Sequence, residues 1–82
     1  MQEQEIFDKV VAILKPYVRN EEALKSVSRD LNILQDLKVN SSRLVDIVLA
    51  FEDEFDIEIA DEEADQVRTI GAAVDLIKAK TA

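Results

Sequence analysis

The stretch Asn40-Ser41-Ser42-Arg43-Leu44-Val45-Asp46-Ile47-Val48-Leu49-Ala50-Phe51-Glu52-Asp53-Glu54-Phe55 decides the fold. It opens on short polar side chains of the kind that accept hydrogen bonds from the amides of a first helical turn. Leu44, Val48, Phe51 and Phe55 then recur at spacings of four, three and four, with Ile47 beside them. That period predicts a helix to about Phe55 that buries one apolar face. Val45 and Leu49, four apart, lie to the side of the stripe. They are either further core or an apolar pair left exposed on an acidic helix, which is how a docking surface looks.

Towards the N-terminus, Ile6, Val10, Ile13, Leu14 and Tyr17 share one face of a second helix, residues 4 to about 18, widened by Phe7, Val11 and Val18. Pro16 removes a backbone donor and disfavours a helical Lys15, so this helix should weaken in its last turn. Between the two helices, Asn20 to Asn40 has no sustained period. It reads as a long connection with a helical turn or two, held down by Ile33, Leu34 and Leu37. Towards the C-terminus, Phe55-Asp56-Ile57-Glu58-Ile59 alternates like a strand. With no partner strand in view, it is expected to be an extended connector whose isoleucines plug the core. Asp61 is the expected cap of a short helix to about Gln66, and Thr69 that of a last helix from Ile70 to about Ala79. In that last helix Ala73, Val74, Leu76 and Ile77 should face inward. The product is all-α: one domain over residues 1–82, a small four-helix bundle of three longer helices and a short third one, with a long first loop.

Composition narrows the function. The chain has no Cys and no His, so disulfides, the usual zinc ligands, a thiol nucleophile and imidazole acid–base chemistry are all excluded. Ser41 and Ser42 have no base beside them, which makes an enzyme a poor reading. The longest apolar runs, Val10–Leu14 and Ile47–Phe51, are five residues each, against the roughly 18 that suggest a membrane span. An acidic Met1–Glu5 is unlike a signal peptide. A cytoplasmic monomer that enters no membrane is expected. The net charge of −8 is lopsided: residues 1–40 carry seven acids and six bases, residues 41–82 eleven acids and four bases. Such a field repels nucleic acid and steers towards basic protein surfaces. The run from Glu52 to Asp65 lacks the glycine and ligand spacing of an EF-hand loop.

From about Val27 onwards the chain resembles the acyl carrier proteins. Their hallmark is Asp-Leu-Gly, two residues, then Asp-Ser-Leu, a helix ending in acids and Phe, then Ile-Pro-Asp-Glu-Glu-Ala and Thr-Val-Gly-x-Ala-Val. Here stand Asp36-Leu37-Lys38, Asn40-Ser41-Ser42, Phe51-Glu52-Asp53-Glu54-Phe55, Ile59-Ala60-Asp61-Glu62-Glu63-Ala64 and Thr69-Ile70-Gly71-Ala72-Ala73-Val74. The resemblance implies a carrier in which a holo-synthase, or phosphopantetheinyl transferase, places 4′-phosphopantetheine from coenzyme A on Ser41, flanked by Asn40 and Ser42. Acyl chains would ride on the arm as thioesters and be passed to acyl-transfer and lipid-synthesis enzymes. A pocket for the chain would be lined by Ile33, Leu34, Phe51, Ile59, Ala64, Val67, Ala73 and Leu76. A docking patch would comprise Arg43, Val45, Asp46, Leu49, Glu52, Asp53 and Glu54.

The departures from the pattern gather at the modification site. Asn40 replaces an acid, Ser42 a leucine, Arg43 the acid that usually opens the helix, and Lys38 the glycine. Asn40 can still cap, but its charge is gone. A specialised carrier with its own or a tolerant transferase is the resulting expectation. A carrier of amino acids or other acyl units, and an unmodified helical protein that docks partners through the acidic helix, are the alternatives.

Overall fold

The computed structural model describes residues 2–81. It contains α1 (Glu3–Leu14), α2 (Leu44–Phe55), the four-residue α3 (Asp61–Ala64) and α4 (Ile70–Thr81), with 3₁₀ turns at Lys15–Tyr17, Glu21–Ser26 and Ser41–Arg43. The expected all-α bundle, with its long first loop and short third helix, is present.

Ile6, Val10 and Leu14, one helical repeat apart on α1, are fully buried; Phe7, Ile13 and Tyr17 are half-buried around them. Their principal counterface is α4, with α2 packed on both. Lys15 departs from expectation, because it remains helical at φ −45°, ψ −49° and its N–H still reaches the carbonyl of Val11. The proline is absorbed by tightening to a 3₁₀ turn, in which Pro16 stands near the start, where its missing donor matters least.

The long loop is tied down by backbone as well as by side chains. Ile33 N–H donates to the Arg68 carbonyl at 2.8 Å, Ile70 N–H to Leu31 at 3.1 Å and Gly71 N–H to Arg29 at 2.9 Å. These bonds set the loop against the start of α4, with Asn32 and Thr69 in a single antiparallel bridge. Gly71 lets the two approach closely there: a Cβ would lie 3.0 Å from both the Cβ and the carbonyl oxygen of Arg29. Arg29 also holds Asp75 of α4 through two contacts of 2.7 and 2.8 Å, and Glu3 of α1 at 3.4 Å. The hydrogen bond to Asp75 is the main reason that its guanidinium pKa is raised. Asn32 organises the end of the loop, its Oδ1 accepting from the N–H groups of Leu34 and Gln35 while its own N–H donates to Asp36. Leu37 and Ile33 are thereby fully buried, and Leu34 half-buried.

Thr69 caps α4 as expected, its Oγ1 accepting from Ala72 N–H at 3.0 Å. Asp61 does not cap α3; it is the first helical residue, and Ala60 stands at the cap position with no side-chain acceptor. Glu63 compensates by accepting the Ala60 N–H at 3.0 Å, half of a capping box. α3 stops at Ala64, short of Gln66, while α4 runs on past Ala79 to Thr81. Residues 57–60 form the expected connector, with Ile59 buried and Ile57 half-buried.

Candidate functional site

The site is built where the long loop becomes α2. Asn40 is extended (φ −66°, ψ 129°), and its side-chain oxygen accepts from both the N–H and the hydroxyl of Ser42, at 3.0 and 2.9 Å. Asn40 carbonyl takes the Arg43 N–H at 2.8 Å. The amides of Ser42, Arg43 and Leu44 are therefore committed, to Asn40 and to the Ser41 carbonyl. Ser41 begins the 3₁₀ turn that runs straight into α2, is exposed, and its hydroxyl has no hydrogen-bond partner among the described residues.

Two cations flank it. Arg43 shares Asp46 at 3.3 Å. Lys38 is exposed, makes no ion pair with a described residue, and sits in the left-handed region at φ 58°. That conformation explains why a glycine fits this position in the family pattern, since a Cβ is strained there.

Ser41 opens onto a groove of about 420 Å³ that runs along α2. Leu44, Val45, Val48 and Leu49 form one wall, Ile59 and Ala64 the other, with Glu52, Asp61 and Asp65 at the edges. Val45 and Leu49 are 66% and 55% exposed and are, among the described residues, the two large apolar side chains open to solvent, so they belong to the lip of the groove rather than to the core. Leu44, read from its period as core, is half-buried and also lines the groove.

Of the eight residues named for an acyl pocket, Ile59 and Ala64 meet at this groove. Val67 and Leu76 line a separate hollow between α3 and α4. Ile33, Phe51 and Ala73 are packed in the core, and Leu34 lies against it. Of the docking residues, Arg43, Val45, Asp46, Leu49, Asp53 and Glu54 are exposed, whereas Glu52 is half-buried and accepts the Ile59 N–H at 2.9 Å. Leu44, Val48, Asp61 and Asp65 were not singled out by sequence pattern as site residues. The only available signal for the first two was their place one turn apart after Ser41.

Further along, Glu63 accepts the Ala60 N–H and pairs with Lys80 at 2.9 Å. The first of these, then the second, hold its carboxyl pKa below the usual value.

The site is thus an exposed serine at the head of a helix, with no hydrogen-bond partner for its hydroxyl among the described residues, opening on an apolar groove. The comparisons with known proteins say which class of protein carries such a site. The family model described as a phosphopantetheine attachment site matches residues 9–77. An acyl carrier protein from Picosynechococcus sp. is 42% identical over 78 residues, 95% of this chain and 94% of its own length. One from Lactobacillus acidophilus is 40% identical over 79 residues, 95% of each. The solved structure of the acyl carrier protein from Enterococcus faecalis superposes with a TM-score of 0.80 at 39% identity, covering 98% of this chain and 99% of that one. The chain belongs to the acyl carrier proteins: it is not an enzyme but a carrier of acyl chains on covalently attached 4′-phosphopantetheine, and its partners are acyl-transfer enzymes. Among the described residues no helix is long and apolar enough to cross a membrane.

Proposed function

We propose that Ser41 is the attachment serine, and that the protein presents acyl thioesters to enzymes of fatty-acid or related lipid synthesis. The observation that carries this reading is the exposed, unpartnered Ser41 hydroxyl at the head of a helical run from Ser41 to Phe55, facing the apolar groove. A phosphodiester fits the local chemistry. The positive end of a helix favours an anion by about 0.3–1 kcal/mol at an exposed position, and no acid stands in the chain between Lys38 and Arg43. When bound, 4′-phosphopantetheine supplies the terminal thiol that a chain without cysteine lacks. The protein's own residues do the rest: Asn40 and Ser42 fix the start of the helix, and the groove walls Leu44, Val48, Ile59 and Ala64 take apolar chain away from water.

The docking patch comprises Val45 and Leu49 framed by Arg43, Asp46, Glu52, Asp53 and Glu54. A transferase or acyl-transfer enzyme with a basic surface matches it, and the steering should weaken with salt. Within the patch the carboxylates of Asp53 and Glu54 are the least engaged, because Asp46 is shared with Arg43 and Glu52 with Ile59. We place the protein in the cytoplasm as a monomer. The charge of −8 disfavours both anionic lipid and self-association.

Intact-mass measurement after incubation with coenzyme A and a broad-specificity phosphopantetheinyl transferase tests the attachment site. One 4′-phosphopantetheine should be gained by the native chain and none by Ser41→Ala. Gain by Ser41→Ala, or none by the native chain with any transferase, overturns the assignment.

A further inference from the structure

The groove that begins at Ser41 stops at Glu52, and a second hollow, also about 420 Å³, starts on the far side of the same side chain. Ile59 is the other residue common to both. The two are joined across the boundary, Ile59 N–H donating to Glu52 Oε2 at 2.9 Å. From this geometry we infer that Glu52 is a specificity-determining residue: clasped to Ile59, it closes the distal end of the groove and sets the length of acyl chain that the groove shelters. The inference rests on the reading that a chain carried at Ser41 enters this groove.

The layout of α2 supports it. Ser41, Leu44, Val48 and Glu52 follow one another along a single side of the helical run, and the eleven steps from Ser41 to Glu52 span about 16 Å at 1.5 Å per residue. Up to Glu52 the walls are apolar, and each methylene laid against Val48 or Ile59 leaves water. At Glu52 the character changes. Beyond it the second hollow is edged by Glu58, Glu63 and Lys80, the last two in a 2.9 Å ion pair. A chain tip pushing on would have to break the clasp, leaving the Ile59 N–H unpaired in a half-buried position and a carboxylate partly desolvated. Either cost exceeds the gain from one more methylene. The benefit of lengthening the chain should therefore end at the clasp.

The test is a thermal unfolding series on the phosphopantetheinylated protein loaded with straight saturated chains from butyryl to palmitoyl, each variant referred to its own unacylated form. In the native protein Tm should climb by a few °C per added methylene and then level off. In Glu52→Ala the clasp is gone and the two hollows join, so the levelling point should move to longer chains. Glu52→Gln keeps an oxygen at the same reach, and its levelling point should stay with the native one. A native series without a break, or a break at the same length in Glu52→Ala, overturns the inference. A Ser41-loaded protein that no chain stabilises at any length overturns the groove reading beneath it, a result distinct from a displaced or undisplaced break.

Discussion

Gly71→Ala sets two effects of known sign against each other. Gly71 lies in the first turn of α4 and is buried. In an exposed helix the change to alanine would stabilise by about 0.8–1 kcal/mol through intrinsic propensity. Here the new methyl would stand 3.0 Å from the Cβ of Arg29 and 3.0 Å from its carbonyl oxygen. The carbonyl is the harder obstacle, because it is backbone and already accepts the Gly71 N–H at 2.9 Å. Relief requires the loop backbone to give by a few tenths of an ångström, which stretches that bond. Overpacking of this kind costs about 1–3 kcal/mol, so the net expectation is a loss of about 1 kcal/mol, or 4–8 °C in Tm for a domain of this size. Urea unfolding should show a lower midpoint with an unchanged slope, since the surface exposed on unfolding is the same. A Tm equal to or above that of the native protein would mean that propensity prevails and that the close approach of loop and helix is not a constraint.

The remaining predictions concern strain, pH and the site. Lys38→Gly relieves a side chain held at φ 58°; the left-handed penalty of about 1–2 kcal/mol less the extra entropy of glycine leaves a gain of about 0.5–1 kcal/mol, read as a rise in Tm that Lys38→Ala does not reproduce. Glu63 has a folded pKa below its ordinary value, so it contributes stability above the unfolded value that is lost as pH falls through the folded one. Glu63→Gln should accordingly flatten the acid limb of a Tm-against-pH curve while leaving neutral and basic behaviour similar in shape. Ser41→Ala should abolish phosphopantetheinylation without lowering Tm appreciably, as the capping bonds belong to Asn40 and Ser42. Glu52→Ala should lengthen the acyl chain that stabilises the protein, as argued above.

The fold was legible in large part because helix signals are local. The four-three-four spacing of Leu44, Val48, Phe51 and Phe55 and the Asn40 and Thr69 caps each depend on residues within a turn or two, whereas the spacing of Val45 and Leu49 left core and surface both open until the structure exposed them. The points that misled also have local explanations. Ala60 takes the cap position ahead of Asp61 because Glu63 can reach back to its N–H, and Lys15 stays helical because the chain tightens to a 3₁₀ turn at Pro16.

The candidate site was legible only in part. The serine and its acidic helix stand in one continuous stretch of sequence. The groove has a second wall, from Ile59 to Ala64, whose approach to α2 depends on the left-handed turn at Asp56 (φ 53°) and on the Glu52–Ile59 bond. Neither has a periodic signature.

By itself the sequence determined that this is a small, acidic, helical domain with Asn40-Ser41-Ser42 at the head of the second helix, and its motifs carried the resemblance to the acyl carrier proteins. Caps and apolar periods act over a few residues and need no knowledge of the rest of the chain. Only the tertiary structure decided that Leu44 and Val48 border a groove, that Arg29 and Gly71 fasten the long loop to α4, and that Glu52, expected in the docking patch, is half-buried and accepts the Ile59 N–H. Those outcomes turn on contacts between segments far apart in the chain, where a side chain's role is set by what faces it, which its own spacing does not record.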